Sequence, residues 1–510
     1  MNNLPIIDLV VIVIYLLAMV FAGIYFSKKN TTANEFTTAA GKIPAWAVGI
    51  SLYATFLSSN TFLGVPGKAF GDNWNAFVFS LSMPIAAWFA AKYFVPFYRS
   101  NTDVSAYTNL EKRFGGWARS YAVICFLLTQ VARIGSIFFG ISLALQALIG
   151  LDMSLIMIVV GVCIIIYTVL GGMEAVIWTE VVQGILLTIG ALIIIGSLLF
   201  NIPGGVSTVI DIGMRDDKFS LGSFSLNDFS TSTFWVIFLY GVFINLTNFG
   251  MDQNYVQRYH TAPSEAEASK SVWMCVKLYL PISLLFFIIG VCLYTYYDVN
   301  PNLISSVKDQ VAQEKMIQSS ILTAADYGDK VLPHYMVTHL PVGVVGLIVS
   351  AILAAAMSTI SSGMNASATV FTEDIYKRYI NKKSTDKQRL KILLWTTGVF
   401  GAIGMFAGVA MIGVGSILDA WWTLSGIFAG GMLGLFLLGL ISKTTTNSDA
   451  LVGTIIGICV ILWMTFSYLI PEKHAYLKNP LHANMIIVVG TLVIFLVGNL
   501  SKKLREIQNK

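Results

Sequence analysis

Thirteen runs of about 20 predominantly apolar residues recur along this chain, and about that length of helix is needed to cross the roughly 30 Å hydrocarbon core of a bilayer. They cover residues 6–27, 43–68, 75–98, 117–149, 153–170, 175–200, 233–258, 271–297, 340–378, 392–412, 416–441, 451–470 and 485–500. Backbone N–H and C=O groups in lipid must be paired within their own segment, so helices are expected throughout. Of the 510 residues, 56% are hydrophobic and 12% are charged, against about 25% charged in a soluble protein. The expected fold is therefore an all-α polytopic membrane protein with 13 transmembrane helices. The 340–378 run is too long for one straight crossing and is expected to tilt or to run on beyond the bilayer.

Charge placement sets the expected orientation. With the N-terminus outside, 23 Lys and Arg fall in or beside inside connections and 8 in outside ones, with Arg133 left within a span. Positive charge is retained on the cytoplasmic side, so the N-terminus is expected outside and the C-terminus inside. Met1-Asn2-Asn3-Leu4-Pro5 lacks a basic n-region, and the first run is expected to be retained. The five cysteines all lie in apolar runs and read as small buried residues. No Gly-x4-Gly-Lys-Ser/Thr occurs, which argues against ATP-driven transport by this chain. Two long outside connections, 201–232 and 298–339, are either external lids or plain solvated loops. The second is expected to carry a short surface helix at 307–315. The short basic tail after Lys502 suits anionic lipid head groups.

Against this apolar background, three polar clusters stand out. Ala54-Thr55-Phe56-Leu57-Ser58-Ser59-Asn60-Thr61 places hydroxyls and an amide within a span, followed by Gly64, Pro66 and Gly67. A helix weakened in this way must line a cavity or be buried in protein. Small residues at a helix contact are the alternative. Ser358, Ser361, Ser362 and Asn365, with Thr359 beside them, form one helical stripe. It can bond helix to helix, or coordinate a small cation if a broken helix opposite supplies carbonyls. Asn245, Thr247 and Asn248 open a third polar cluster, which again interrupts an apolar run, with Gly250 and Asp252 behind them. Two interrupted helices five spans apart suggest an inverted repeat.

Ionisable groups inside a span are costly, by roughly 2.5–3.5 kcal/mol on insertion scales. Arg133 lies midway along its run and stays protonated. Two readings stand for it: a clamp for an anionic substrate's carboxylate, or a structural pair with an internal acid such as Glu180. Glu180 itself is a natural ligand for a hard cation, which prefers oxygen.

Taken together, residues 54–66, 171–183, 250–259 and 354–376 resemble the sodium/solute symporter family. Residues 55–66, Trp74, Arg133 and Val176-Ile177-Trp178-Thr179 are most similar to its bacterial sodium-coupled sialic acid branch. The resemblance implies a leucine-transporter-type core of five plus five helices, with one helix before it and two after. The implied division is residues 1–42, a first repeat at 43–200, an external loop at 201–232, a second repeat at 233–441 and a C-terminal pair at 442–510.

The resemblance also implies site residues. The main sodium site falls on Ala54, Leu57, Ala355, Ser358 and Thr359. A second sodium site falls on Glu180, Ser358, Ser361 and Ser362, where the branch has Asp in place of Glu180. The extra methylene displaces the carboxylate by roughly 1.5 Å. Arg133 matches the arginine that holds the sugar's carboxylate, and Ser58 and Thr61 match substrate-contacting hydroxyls. Phe56 stands where a hydroxyl is expected and Ser80 where a glutamine is expected. Asn245, Thr247 and Asn248 are further cavity candidates.

The expected function is sodium-coupled import of sialic acid by alternating access at a bacterial-type inner membrane, with Na+ and the sugar as partners and no covalent chemistry. No nucleic-acid or obligate protein partner is expected. The alternatives are a symporter of the same fold for proline, a neutral sugar or a small organic acid, or, from other classes, a sensor or a channel.

Overall fold

The protein was analysed as a computed structural model that describes residues 4–28, 31–100, 103–315, 318–412 and 417–508. Met1 to Asn3, Lys29, Lys510 and Ser416, which bear on the N-terminal, orientation and span readings above, lie outside the described residues, as do the side chains of Asn60 and Lys315.

The described residues are helical almost throughout. In chain order the α-helices are α1 (Ile6–Ser27), α2 (Ala33–Thr38), α3 (Ala45–Phe56), α4 (Ser59–Gly71), α5 (Val78–Phe89), α6 (Val95–Arg99), α7 (Thr108–Phe114), α8 (Gly116–Ile149), α9 (Met153–Asn201) and α10 (Val206–Arg215). They continue as α11 (Phe234–Met251), α12 (Gln253–Thr261), α13 (Glu265–Val299), α14 (Pro301–Lys315), α15 (Ala324–His339), α16 (Val344–Val370), α17 (Asp386–Ala410), α18 (Ile417–Ile441), α19 (Asn447–Phe466) and α20 (Met485–Gln508). Among the described residues 10 helices are long and apolar enough to cross a membrane, or 11 with the bent pair α3–α4 counted as one span. The chain is an all-helical, multi-span membrane protein.

Burial sorts the helices. α1 turns Ile6, Val10, Val13, Ile14, Leu17 and Phe21 outward, as a helix facing lipid would. In contrast, every residue of α16 from Ile348 to Val370 is buried. That helix is built from Ala, Ser, Gly and Thr, whose small side chains let neighbours approach closely. α1 is fastened to it by Asp8, whose Oδ1 accepts from the backbone N–H of Gly343 at 2.8 Å and of Gly346 at 2.7 Å. The first turn of a helix leaves such donors unpaired, so Asp8 satisfies part of the α16 N-terminus from another helix. Gly346 is required there, because a Cβ would lie 2.7 Å from the Asp8 backbone.

Three helices are interrupted where the sequence is polar or glycine-rich. α3 and α4 meet at 51° across the extended residues Leu57 and Ser58. α11 and α12 meet at Asp252, which is also extended. α9 breaks at Gly172, whose φ of 58° and ψ of −163° lie outside the range of L side chains.

The 298–339 connection folds into α14 and α15, so the expected surface helix is present and starts earlier, at Pro301. α15 rests directly on α4: a Cβ on Gly67 would lie 2.8 Å from the Gly328 backbone. The 201–232 connection also reaches α4. The Lys218 ammonium donates to the carbonyls of Phe70 and Asp72, each at 2.8 Å, and sits over the Tyr294 ring. Burial pushes its pKa down from the ordinary lysine value. Both long connections therefore hold α4, the second half of the first broken helix.

Candidate functional site

The break between α3 and α4 has a local cause. Residues 57–61 offer the backbone alternatives to a helix: the Ser58 N–H turns to the Thr61 hydroxyl at 3.4 Å. Thr61 and Phe62 take the Ser58 carbonyl as the first acceptor of α4. The Ala54 carbonyl accepts instead from the Ser358 hydroxyl of α16 at 3.2 Å. Ser358 Oγ also lies 2.9 Å from the Ala355 carbonyl, and Thr359 Oγ1 lies 3.3 Å from the same oxygen. Ala54, Ala355, Ser358 and Thr359 thus bring two carbonyl and two hydroxyl oxygens together. Leu57, buried and extended, stands at the break itself. Neutral oxygens at a helix break are the donor set a hard monovalent cation takes.

On the other side of the same segment lies a cavity of about 90 Å³. Phe56, Ser58, Thr61, Ser80, Arg133 and Asn248 line it, as do Ser283, Tyr279, Tyr255 and Thr359. Thr359 therefore belongs to both the oxygen cluster and the cavity wall. Asn245 is elsewhere: it is fully buried and donates to Ser82 at 3.3 Å. Thr247 does not line the main cavity but a smaller crevice behind it, together with Arg133 and Asp252. Ser80 shares a 2.7 Å hydrogen bond with Ser283. Phe56 makes an aromatic floor, with ring centroids 4.7 Å from Tyr255 and 5.5 Å from both Phe249 and Tyr279. Such tilted pairs hold together beyond their apolar area, by about 0.5–1.5 kcal/mol each.

Arg133 is ion-paired, and its partner is Asp252: Nη1 and Oδ2 are 3.1 Å apart, with the two side chains 10% and 7% exposed. Glu180, the acid weighed for that role from the sequence, is taken by Arg258. Arg258 Nη2 lies 2.8 Å from both Glu180 oxygens, and both side chains are fully buried. Ser51 and Ser362 also donate to Glu180, and Arg258 Nε donates to Ser51 at 2.8 Å. Ser361 is turned to the Ser358 carbonyl at 3.1 Å. Breaking a pair as dry as Arg258–Glu180 on one side costs about 3–5 kcal/mol, because the remaining charge is left buried. In the sequence Arg258 is the last residue of the 233–258 run, where a charge reads as interfacial. In the fold it lies in the short α12, past a break, and so enters the interior.

The α11–α12 break is satisfied by tyrosines. Tyr259, Tyr98 and Tyr107 donate to the carbonyls of Phe249, Gly250 and Met251 at 2.7, 2.6 and 2.9 Å. These are carbonyls that a helix end leaves open, and in lipid each would otherwise cost several kcal/mol, roughly. Residues 103–107 are bolted to the same break. Gln253 accepts from Ala106 and donates to Val104, both at 2.8 Å. Asp374, in the helical segment that follows α16, accepts from Ser105 at 2.8 Å and pairs with Arg119. Arg119 and Arg378 both reach Glu111. These contacts tie residues 103–107, α7, α8 and the segment after α16 together.

The sequence profile of the sodium:solute symporter family matches residues 36–457. The chain belongs to the sodium:solute symporter family. It is 34% identical to the sodium/sialic acid symporter NanT of Aliivibrio fischeri over 96% of this chain and 91% of that one. It is 33% identical to the sodium/sialic acid symporter SiaT of Proteus mirabilis, over 94% and 92%. Among solved structures it superposes on a substrate-bound, outward-open Na+-coupled sialic acid symporter with a TM-score of 0.87, at 31% identity and 98% coverage of both chains. Members of this family are transporters rather than enzymes.

Proposed function

We propose that this protein imports sialic acid by sodium-coupled symport across a bacterial inner membrane, with its N-terminus outside and its C-terminus in the cytoplasm. The observation that carries the reading is the shared wall. Residues 54–61 give a carbonyl to the oxygen cluster on one side and hydroxyls to the cavity on the other, and Thr359 belongs to both. A cation at Ala54, Leu57, Ala355, Ser358 and Thr359 would fix the shape of the segment that offers Ser58 and Thr61 to the sugar. Arg133 would take the carboxylate and Asn248 a hydroxyl. The cavity then closes above, the bolted end opens, and both solutes leave. The relatives' identity over nearly the full length supports the choice of sugar.

The proposed topology is 13 crossings with five-plus-five repeats. α9 has 49 residues, about 74 Å of helix, and its break at Gly172 divides it into the two spans expected at 153–170 and 175–200. α18 supplies another, and the breaks at Leu57 and Asp252 stand at corresponding positions of the two halves. A second sodium at Glu180, Ser358, Ser361 and Ser362 would have to share Glu180 with Arg258. That pair is already neutral, so the reading is one sodium per sugar, with a Hill slope near one in initial uptake rates.

Arg133→Ala tests the substrate assignment. It removes about 2–5 kcal/mol of charge-paired binding, so uptake of the acid should be lost while sodium binding, measured directly, persists. Unchanged uptake would contradict the assignment. Competition by proline, glucose and small organic acids separates the same-fold alternatives.

A further inference from the structure

Arg133 carries a permanent charge in a region where an unpaired ion is expensive, yet a carrier must spend half of each cycle without its substrate. Among the described residues its guanidinium is ion-paired with Asp252. Nη1 of Arg133 lies 3.1 Å from Oδ2. The other carboxylate oxygen, Oδ1, accepts from the Asn254 backbone at 2.9 Å and from the Asn254 side chain at 2.6 Å, which caps the first turn of α12. Arg133 lines the main cavity and also the crevice behind it. Asp252 lines only the crevice. The guanidinium thus stands between the cavity and an internal carboxylate.

The geometry points to Asp252 as the resident counter-ion that Arg133 exchanges for the carboxylate of its substrate, a positioning residue that sets affinity and reports occupancy to the α11–α12 break. This rests on the sialic acid reading above. In the empty carrier Asp252 neutralises Arg133 and keeps small ambient anions off it. When the substrate's carboxylate takes the guanidinium, Oδ2 is released while Oδ1 keeps its cap, so the charge pair that ties α8 to the break is loosened only in the loaded carrier. On the return, Asp252 reclaims Arg133 and helps expel the sugar acid. The cost of the arrangement is weaker binding, since the substrate competes with a tethered carboxylate.

Asp252→Asn removes the charge and keeps an oxygen for the α12 cap. Purified protein in sodium-containing buffer is titrated with N-acetylneuraminate and with its neutral methyl ester. The variant should bind the acid about tenfold tighter than the native protein, bind the ester unchanged, and take up the acid about tenfold more slowly in proteoliposomes. Equal or weaker binding of the acid would overturn the proposal, as would a change of the same size for the ester. If the native protein binds neither compound, the sialic acid reading itself fails. Thermal melts test the pair without any ligand: Arg133→Gln alone should lower the Tm, and adding Asp252→Asn should restore part of the loss. A double variant no more stable than Arg133→Gln would show that the two charges are not coupled and would equally overturn the proposal.

Discussion

Ser358 is the residue on which the oxygen cluster turns. Its hydroxyl reaches the Ala54 carbonyl across the helix break and the Ala355 carbonyl on its own helix. Ser358→Ala should raise the half-saturating sodium concentration for uptake by about tenfold or more, on the scale that losing a metal's supporting partner costs elsewhere. It should leave the fold intact, because Ala fits a helix interior of small residues. A sodium titration of initial uptake rates checks this, and an unshifted curve would remove Ser358 from the ion site. Ser58, Thr61, Arg133 and Ser358 were legible in sequence because a polar side chain in an apolar run needs a reason. Asp252 and Arg258 were not assigned, although both were visible. A charge near the end of a hydrophobic run looks interfacial until the run is known to break, and only the fold puts Arg258 on Glu180 and Asp252 beside Arg133. Phe56, unexplained in sequence, becomes intelligible only with Phe249, Tyr255 and Tyr279 around it, from two other segments of the chain.

At the scale of elements, the hairpin α14–α15 is held to α13 by histidines. His334 shares hydrogen bonds with the Tyr297 hydroxyl at 2.7 Å and with Ser306 at 3.1 Å, and α15 in turn rests on α4 through Gly67 and Gly328. Burial first, and then the nearby His339, lower the His334 pKa from the ordinary 6.5. A depressed value in the fold means that the released hairpin takes up the proton first, so the hairpin's stability is full above about pH 6.5 and falls as pH drops toward the folded value. Hydrogen exchange of α15 should therefore quicken below that pH in the native protein, and less so in His334→Gln. Equal acceleration in both would assign the effect elsewhere. The length and polarity of 298–339 made a surface helix foreseeable, whereas its docking on α4 was not. Two glycines in contact, 261 positions apart in the sequence, leave no local pattern. The helices themselves were legible because hydrophobic length is a local property, and the Gly172 break in α9 fell between two expected spans.

For the whole molecule, alternating access requires that one end open only when the other is shut, and the ion network around Arg119 is the candidate seal for one of them. Arg119 joins Asp374 and Glu111, Arg378 joins Glu111, and residues 103–107 are pinned to Gln253 and Asp374. Arg119→Gln leaves Asp374 without its cation, at a cost of about 3–5 kcal/mol for a buried pair. It should speed hydrogen exchange at residues 103–107 and lower sugar accumulation by letting this end open without cargo. Unchanged exchange there would mean that the network is not the seal. The proposed coupling is that sodium and a sugar acid move together through one broken helix. It is tested most directly by radiolabelled N-acetylneuraminate uptake into proteoliposomes under an imposed sodium gradient. Accumulation above the external concentration with inward sodium, collapsing when the gradient is abolished and absent in Arg133→Ala, is the predicted result. Uptake that only equilibrates, or that ignores sodium, would contradict it.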